Sequence, residues 1–199
     1  MVNHFLFKNR DGQTPLPIEL RKGLKLKHIQ TIGELDEFEE ANIAQGLVWL
    51  ARYTKDYLNY GFWLLLHKKL FGQVWSWAGV VRKHELNNSN FLLPWAIWPA
   101  FKQLEDDLKF WIAGKTYVNL EIAARLHERL LTIHPFANGN GRFARIATEH
   151  FCQRQKMTAP SWGSTQEKFP VQRRASYINA IEEARHKKNP QPLMDFMTS

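Results

Sequence analysis

The sequence has little of what secreted and membrane proteins carry in abundance. It contains a single cysteine, Cys152, so no internal disulfide can form, which is typical of proteins in a reducing compartment. Its most apolar stretch, residues 91–101 (FLLPWAIWPAF), is too short for a membrane span and contains two prolines. The opening residues MVNHFLFKNRDG lack the basic start and apolar run of a signal peptide. We therefore expect a soluble, cytoplasmic protein with no membrane partner.

What the sequence does contain is enough apolar material for a packed core. Hydrophobic residues make up 44% of the 199 positions and aromatic residues 13%, a composition typical of a folded globule rather than a disordered chain. The 27 lysines and arginines exceed the 19 acidic residues, for a net charge of +8. This charge favours an anionic partner or substrate but says nothing about the fold.

Hydrophobic periodicity predicts a mainly α fold. Residues 1–30 are basic and irregular, and residues 31–199 are expected to form a single helical domain. The segment VVRKHELNNSNF (residues 80–91) changes to β-branched residues followed by an Asn-Asn-Ser turn, which predicts a small β-hairpin. The sequence predicts six helices. One begins after Thr31, one is stopped at Gly72, one ends at Gly114, one has Asn119 as its N-cap, one begins near Gly141, and the last lies around residues 173–188.

One turn between two helical stretches concentrates chemically capable residues. It lies within HPFANGNGRFAR, residues 134–145, where Pro135 interrupts the preceding helix and the glycines permit unusual backbone angles. The next helix begins there, and its free N–H groups and positive dipole end form an anion-binding site.

The charged side chains of this turn predict phosphate chemistry. Arg142 and Arg145 are three residues apart, so they share one helix face, which we place away from the apolar stripe. Guanidinium groups bind phosphate oxygens bidentately. His134, just before the turn, can accept a proton from a hydroxyl that attacks the bound phosphate. The residues thus predict phosphoryl or nucleotidyl transfer.

The same twelve residues closely resemble the signature of the Fic family, HPFx(D/E)GNGRxxR. Two further segments resemble that family in the same order: LFGQVWSWAGVVR, residues 70–82, and YINAIEEARHKKNPQPLMDFM, residues 177–197. The chain looks most similar to the subgroup called mobile mystery protein B, which shares asparagine at the fifth signature position. The resemblance runs from about Gly46 to the C-terminus and implies a Fic-type helical bundle, with its core at about residues 46–199 and a small β-hairpin flap.

That resemblance implies protein adenylylation, in which AMP moves from ATP to a Ser, Thr or Tyr hydroxyl of a target protein and pyrophosphate is released. The flap, at residues 82–90 with Arg82, Lys83 and Asn87, would hold the target segment by strand addition. The remaining implied roles are His134 as general base, Gly139, Asn140 and Gly141 as anion hole, Arg142 and Arg145 as ligands of the β- and γ-phosphates, and Phe136 as the inward anchor of the loop.

Asn138 departs from the family signature. Fic proteins carry Asp or Glu at this position, and that carboxylate binds the magnesium that bridges the phosphates. Because an amide oxygen is a neutral and weaker ligand for a hard cation, we expect Mg²⁺ to be held mostly by phosphates and water, with a weaker metal requirement.

The resemblance to the Fic family also implies two ways in which the activity could be inhibited. Fic proteins are often held inactive by a glutamate that pairs with the second arginine of the signature, and Glu40 is a candidate for that role. The competing interpretation is a solvated acidic helix face, which the residue pattern favours. A separate inhibitor, in the manner of an antitoxin against a toxin-like enzyme, is the other possibility.

Other interpretations of the sequence remain open. A Fic-like phosphotransferase would pass on the γ-phosphate instead, and a non-enzymatic nucleotide- or partner-binding module would explain Asn138 as lost catalysis. Nucleic-acid binding ranks last because no helix-turn-helix or zinc pattern is present. His127 and His150 are expected to be structural rather than metal ligands. Core packing is the expected role of Trp75, Trp77, Trp95, Trp98 and Trp111.

Overall fold

The computed structural model describes residues 22–165 and 169–199, so residues 1–21 of the predicted N-terminal segment lie outside the described residues. The described part of the chain is mainly helical, as predicted, and none of its helices is long and apolar enough to cross a bilayer. Its elements are α1 (Ile32–Ala51), α2 (Tyr60–Phe71), a 3₁₀ turn (Pro94–Ala96), α3 (Ile97–Ala113), α4 (Asn119–Ile133), α5 (Asn140–Arg154), α6 (Pro170–His186) and α7 (Gln191–Thr198).

The helices fall into two compact units. The α3–α7 unit comprises Lys83–Pro135 and Asn140–Ser199, and the α1–α2 unit comprises, within the described residues, residues 22–82 and Phe136–Gly139. The residues of the HPFANGNGRFAR turn are therefore shared between the units, so each part is described within its own unit.

The α1–α2 unit contains a helix pair that is held by a side-chain cap and by two hydrogen bonds of Asn42. Thr31 caps the start of α1 in a capping box: its hydroxyl oxygen accepts the backbone N–H of Glu34, and the Glu34 carboxylate accepts the backbone N–H of Thr31. Asn42 of α1 donates to the carbonyl of Lys69, at 3.0 Å, and accepts from the backbone N–H of Gln73, at 2.8 Å. These two bonds satisfy backbone groups at the C-terminal end of α2 and fix the pair.

The α3–α7 unit is organised around α4 and α5, whose inward residues are almost completely buried. Trp162 enters this core from the loop after α5 with no exposed surface and a positive φ of 53°. Gly163 follows with φ 72°, and a Cβ there would come within 2.5 Å of the Phe196 ring of α7. The glycine therefore allows the loop to press against the C-terminal helix.

The predicted β-hairpin is wrong for the described residues. Residues 80–93 are extended, bent or in a turn without forming a strand, and the β-bridge between Leu24 and Trp75 lies outside this segment. The asparagines provide the physical reason. Asn88 accepts the backbone N–H of Asn90, at 2.9 Å, and its carbonyl accepts that of Phe91, at 3.2 Å, so local turn bonds replace a cross-strand ladder.

Two other details differ from the predictions. Val118, rather than Asn119, is the N-cap of α4, and Asn119 is its first helical residue. Core packing holds for Trp75, but Trp95 is 76% and Trp98 49% exposed. Trp95 lies within the 3₁₀ turn, none of whose residues is buried, and Trp98 lies in the first turn of α3, whose inward residues are Ile97 and Phe101, so both tryptophans face outward.

Candidate active site

His134 ends α4 in a left-handed backbone conformation. Its φ is 45° and its ψ 59°, and its N–H bonds to the carbonyl of Leu130 at 3.0 Å. A residue with a Cβ pays about 1–2 kcal/mol for this conformation. The following Pro135 disfavours a right-handed helical backbone at position 134, so the sequence itself turns the chain here. Strain of this size at a non-glycine residue marks a position held by its surroundings.

The imidazole of His134 is fixed on an edge and on a face. Its Nδ1 lies 3.2 Å from the carbonyl oxygen of Leu131. Because a carbonyl can only accept, Nδ1 carries the proton and Nε2 keeps its lone pair. The ring stacks on Phe91, with centroids 3.6 Å apart and planes inclined by 18°. The side chain is therefore a half-buried imidazole that is held at Nδ1 and on one face, with Nε2 as its second ring nitrogen.

The N-terminus of α5, in the same unit, supplies anion-binding groups. Asn140 is 2% exposed, and the next two positions are half-buried. The first turn of a helix has N–H groups without intrahelical acceptors, which attract anions. A Cβ added at Gly141 would meet no atom within 4 Å, so packing does not require a glycine there. The open space in front of Gly141 is what close approach of a phosphate to the backbone needs.

Arg145 does not lie away from the apolar side, as the spacing alone predicted. Its side chain is only 5% exposed, and its guanidinium lies 4.6 Å from the ring centroid of Tyr177 and 5.9 Å from that of Trp162. Aromatic faces attract a cation by their quadrupole and tolerate its burial without neutralising it. Arg142 remains half-buried nearer the start of the helix. The two arginines thus occupy different environments.

A buried hydrogen-bond chain supports the Arg145 environment. Thr148 donates to the carbonyl of Ala144, at 2.8 Å, so its oxygen accepts from His127 Nδ1, at 3.2 Å. His127 Nε2 then accepts from the Tyr177 hydroxyl, at 2.8 Å. Burial, and secondarily the charge of Arg145, lowers the pKa of His127 to about 3, which keeps this histidine neutral. The expectation of a structural role for His127 is consistent with this geometry.

Glu149 is the acidic group of the same cluster. Trp162 donates its indole N–H to the Glu149 carboxyl at 2.7 Å. Burial raises the pKa of Glu149 to about 7, although the Trp162 hydrogen bond and the Arg145 charge act in the opposite direction. The Glu149 carboxyl therefore titrates near neutral pH.

In the α1–α2 unit, the middle of the turn is anchored by a buried histidine. Phe136 has no exposed surface, which confirms its expected inward position, and its ring stacks on His67 at 3.6 Å. The backbone N–H of Gly79 donates to His67 Nδ1, at 2.9 Å, so His67 Nε2 carries the proton and donates to the carbonyl of Asn138, at 3.1 Å. A Cβ at Gly139 would lie 2.9 Å from the Phe71 ring. Packing therefore fixes the backbone on either side of Asn138.

The residues around Asn138 do not form a protein-built magnesium site. Asn138 is exposed, and its side-chain oxygen accepts the N–H of Gly139 at 2.7 Å. Its side chain therefore offers a metal ion only a neutral oxygen that is already engaged in a hydrogen bond. No group of three or more His, Cys, Asp or Glu side chains suited to a metal occurs in residues 22–165 and 169–199. Hard divalent cations favour carboxylate oxygens, which this turn lacks.

The remaining predicted residues differ in how far they are exposed within their own units. Lys83 and Asn87 are exposed, whereas Arg82, of the α1–α2 unit, is only 7% exposed, so its side chain is withdrawn from solvent. Glu40 is half-buried on α1. Its neighbour Glu39 accepts the indole N–H of Trp75 at 2.6 Å, so that carboxylate has a structural role.

Sequence reasoning missed His67, Phe91 and Tyr177. His67 is a polar residue inside the apolar run of α2, a signal of a buried and hydrogen-bonded side chain that was available. Phe91 directly follows the predicted flap, and Tyr177 is in a segment singled out for family resemblance alone. For these two, nothing in the local pattern identifies the partners His134 and Arg145, because the contacts are tertiary.

Comparison with known proteins identifies relatives of this site. Residues 57–152 match the sequence profile described as the Fic/DOC family, and this segment contains the whole of HPFANGNGRFAR and most of α5. A protein of Xanthomonas campestris pv. campestris (strain 8004), named uridine 5'-monophosphate transferase, is 50% identical over 36 residues. That match covers 18% of this chain and 7% of the relative, so the chain spans a small fraction of that protein's length.

Solved structures share the fold at low sequence identity. The BepC protein of Bartonella tribocorum, a VirB-translocated effector crystallised with AMPPNP, has a TM-score of 0.68 at 22% identity, over 89% of this chain and 94% of that one. An N-terminal Fic domain of Bartonella quintana with bound ADP has a TM-score of 0.65 at 22% identity, over 85% and 86%. Fic-1 (aa134–508) of C. elegans has a TM-score of 0.66 at 22% identity, over 89% and 51%. These likenesses show that the architecture is the Fic fold.

Proposed function

Because residues 57–152 belong to the Fic/DOC family, we propose that this protein transfers AMP from ATP to a Ser, Thr or Tyr hydroxyl of a target protein. The observation that carries the proposal is His134, whose Nδ1 proton is bound to the Leu131 carbonyl, so that Nε2 would be the nitrogen that accepts a proton. It precedes a helix whose first turn has an open glycine position at Gly141. A base and a phosphate cradle in consecutive elements suit nucleotidyl transfer.

In this reaction His134 Nε2 accepts the proton of the target hydroxyl as its oxygen attacks the α-phosphorus. The bond from the α-phosphorus to the oxygen that bridges it to the β-phosphate breaks, and pyrophosphate leaves with the bonding electron pair. The product is a phosphodiester between AMP and the target. Fixing the proton on Nδ1 keeps Nε2 in the basic form, which is the requirement for a general base.

The phosphates of ATP would be held by backbone and side chain together. The first-turn N–H groups of α5, at Asn140 and Gly141, would bind phosphate oxygens. The N–H of Gly139, which precedes α5 and donates to the Asn138 side chain, would exchange that acceptor for a phosphate oxygen to complete the expected anion hole. Arg142 and Arg145 would bind the β- and γ-phosphates. Mg²⁺ would enter as part of the substrate, bound to the ATP phosphates and water, with Asn138 as a weak additional ligand.

Two alternatives concern which group is transferred. The 36-residue likeness to a protein named uridine 5'-monophosphate transferase favours testing UTP beside ATP. The matched Bartonella structures contain AMPPNP or ADP, which favours adenine nucleotides. Transfer of the γ-phosphate is the phosphotransferase alternative, and it would use the same base.

A labelled transfer assay distinguishes these possibilities. Purified protein would be incubated with a cell lysate and magnesium, in parallel with α-labelled ATP, γ-labelled ATP and α-labelled UTP. His134→Ala would test the base, and His28→Ala, an exposed histidine of the other unit, would be the matched control. We expect protein-bound label from α-labelled ATP, lost in His134→Ala and retained in His28→Ala. Label from the γ position alone, or label that survives His134→Ala, would contradict the proposal.

Control of the activity is proposed to involve Glu40 of α1 or a separate inhibitor protein. If Glu40 restrains the enzyme, Glu40→Gln will increase self-modification with α-labelled ATP several-fold, whereas Glu37→Gln, an exposed neighbour on the same helix, will not. An unchanged rate in Glu40→Gln would exclude the glutamate and favour a separate inhibitor. Glutamine is used because glycine inside a helix costs about 1 kcal/mol by itself.

A further inference from the structure

The ring of Phe91 lies directly on the imidazole of His134. The centroids are 3.6 Å apart and the planes are inclined by 18°, so the two rings overlap face to face. Phe91 is half-buried and is the first residue after the segment 82–90. It belongs to the same compact unit as His134. An aromatic residue in this position covers one face of the base.

Hydrogen bonds on both sides of Phe91 fix the backbone that carries the ring. Before it, Asn90 donates its side-chain amide to the Glu182 carboxylate of α6 at 3.2 Å. After it, the N–H of Leu92 donates to the backbone carbonyl of Thr132, near the end of α4, at 3.1 Å. The aromatic ring is therefore tethered to two helices of its unit.

Arg185 connects these two tethers. Its guanidinium donates to the Thr132 hydroxyl at 2.8 Å and to the Glu182 carboxylate at 2.9 Å. The carboxylate of Glu128 lies 3.6 Å from the same guanidinium, whose side chain is 11% exposed. A planar guanidinium with several charge-assisted bonds holds its partners in a defined geometry.

A ring stacked on an imidazole restricts the rotation of the imidazole but does not block proton transfer at its edge. The lone pair of Nε2 lies in the plane of the ring, so an aromatic group on the face does not block proton transfer at the edge. Rotation about the Cβ–Cγ bond, however, would push the imidazole into the Phe91 ring. That rotation is what would break the bond from Nδ1–H to the Leu131 carbonyl, which is 3.2 Å long.

We propose that Phe91 is a positioning residue for His134, which holds the imidazole in the plane where Nδ1–H bonds to Leu131 and Nε2 faces the reacting hydroxyl. The inference rests on the proposed function for its catalytic consequence. Its structural content, the orientation and tautomer of His134, is measurable without any transfer reaction. The ring acts through His134 and touches no reacting atom.

The test compares Phe91→Leu, which removes the aromatic face, with Phe91→Tyr, which keeps it. Phe110→Leu, at a 67% exposed phenylalanine of α3 in the same unit, is the matched control. The first readout is the ¹⁵N NMR signature of His134, which distinguishes a protonated Nδ1 from a protonated Nε2. We expect the Nδ1–H form in the wild type, Phe91→Tyr and Phe110→Leu, and a mixture of tautomers in Phe91→Leu.

The second readout is transfer kinetics together with ATP binding. We expect Phe91→Leu to lower kcat about tenfold, since an imprecisely placed base loses part of its contribution, while the Kd for ATP stays within about twofold. Phe91→Tyr should restore kcat. A Phe91→Leu protein with wild-type tautomer and kcat would overturn the proposal, as would a Phe91→Tyr protein as impaired as Phe91→Leu.

These readouts separate the two proposals. If the wild type transfers no nucleotide, the proposed function fails, and the His134 tautomer in Phe91→Leu still decides whether Phe91 positions the ring. If transfer occurs but does not need His134, the NMR comparison again stands alone. A loss of kcat with an unchanged tautomer would contradict positioning and leave adenylyl transfer intact.

Discussion

At the scale of single residues, Gly141 is a glycine that the fold does not need. A Cβ there meets no atom within 4 Å, and the residue is the second of α5. Alanine is favoured over glycine in a helix by up to about 1 kcal/mol. We expect Gly141→Ala to keep or slightly raise the Tm and to weaken ATP binding about tenfold, because the methyl group occupies the space a phosphate would enter.

The control for this variant is Gly61→Ala, at the second residue of α2. Calorimetric titration with ATP and thermal unfolding would be run on both proteins. ATP binding to Gly141→Ala with the affinity of the wild type would show that phosphate does not approach this backbone.

Asn138 permits a second test at this scale. A carboxylate is a stronger ligand for Mg²⁺ than an amide, so Asn138→Asp should reach half-maximal ATP binding at a lower magnesium concentration, about tenfold by charge alone. Asn189→Asp, an exposed asparagine that accepts a backbone N–H in the same way, is the control. An identical magnesium titration for Asn138→Asp and wild type would remove the assigned role of position 138.

The residues of the turn could be predicted from the sequence, but their surroundings could not. The identities and spacing of His134, Arg142 and Arg145 are local and predict phosphate chemistry directly. The face of His134 is covered by Phe91, which is separated from it by α3 and α4, and no periodicity indicates that pairing. Spacing also placed Arg145 away from the core, whereas tertiary packing buries it between two aromatic rings.

At the scale of elements, α5 and α6 meet through Arg145 and Tyr177. Tyr177 offers both a ring face to the guanidinium and a hydroxyl to His127. If this contact preorganises Arg145 for the terminal phosphates, Tyr177→Leu should weaken ATP binding about tenfold more than AMP binding. Loss of a buried ring should also lower the Tm by several degrees.

Tyr117→Leu is the matched control, because the ring centroid of Tyr117 lies 4.2 Å from the guanidinium carbon of Arg125 in the same unit. Tyr177→Phe, which keeps the ring face, should lose less selectivity for ATP over AMP than Tyr177→Leu does. Equal losses of ATP and AMP affinity in Tyr177→Leu would indicate a purely structural cluster.

Helices could be predicted from the sequence where an apolar face repeats at helical spacing and a capping residue marks an end. Thr31, Gly72 and Gly114 mark helix boundaries in the structure as expected. The hairpin at residues 80–91 failed because asparagine side chains satisfied the backbone locally. Helix α7 was not predicted from periodicity, since its eight residues are too few for a distinct period and prolines occupy its N-cap and its second position.

At the scale of the whole molecule, stability should depend on pH through two buried groups with opposite effects. The folded pKa of His127 is lowered to about 3 from 6.5, so its contribution is complete above pH 6.5 and is lost as pH falls. The folded pKa of Glu149 is raised to about 7 from 4.5, so its contribution is complete below pH 4.5 and is lost as pH rises through 7.

Replacing Glu149 isolates the second effect. Glutamine keeps an acceptor for the Trp162 indole but does not titrate. The Tm of Glu149→Gln relative to wild type should therefore increase between pH 4.5 and 7, by about 5 °C, and stay level above it. Glu183→Gln, whose partner is the exposed Lys187, should show no such trend. A constant difference between Glu149→Gln and wild type across this range would contradict the shifted pKa.

Composition predicted a packed protein and hydrophobic periodicity a mainly helical one, but neither predicted the division into two compact units. The turn that contains the signature contributes residues 136–139 to one unit while its flanks belong to the other. The bond that anchors it joins His67 and Asn138, 71 positions apart. Contacts at this separation depend on the assembled fold and have no local signature.

The left-handed backbone of His134 has an evolutionary consequence. Glycine adopts a φ of 45° without the steric cost that a Cβ imposes, so substitution of glycine there would remove both the base and the strain. Selection for stability and selection for chemistry act in opposite directions at this position. A lineage released from the need for the reaction could discard its base in one substitution and still retain a well-folded scaffold.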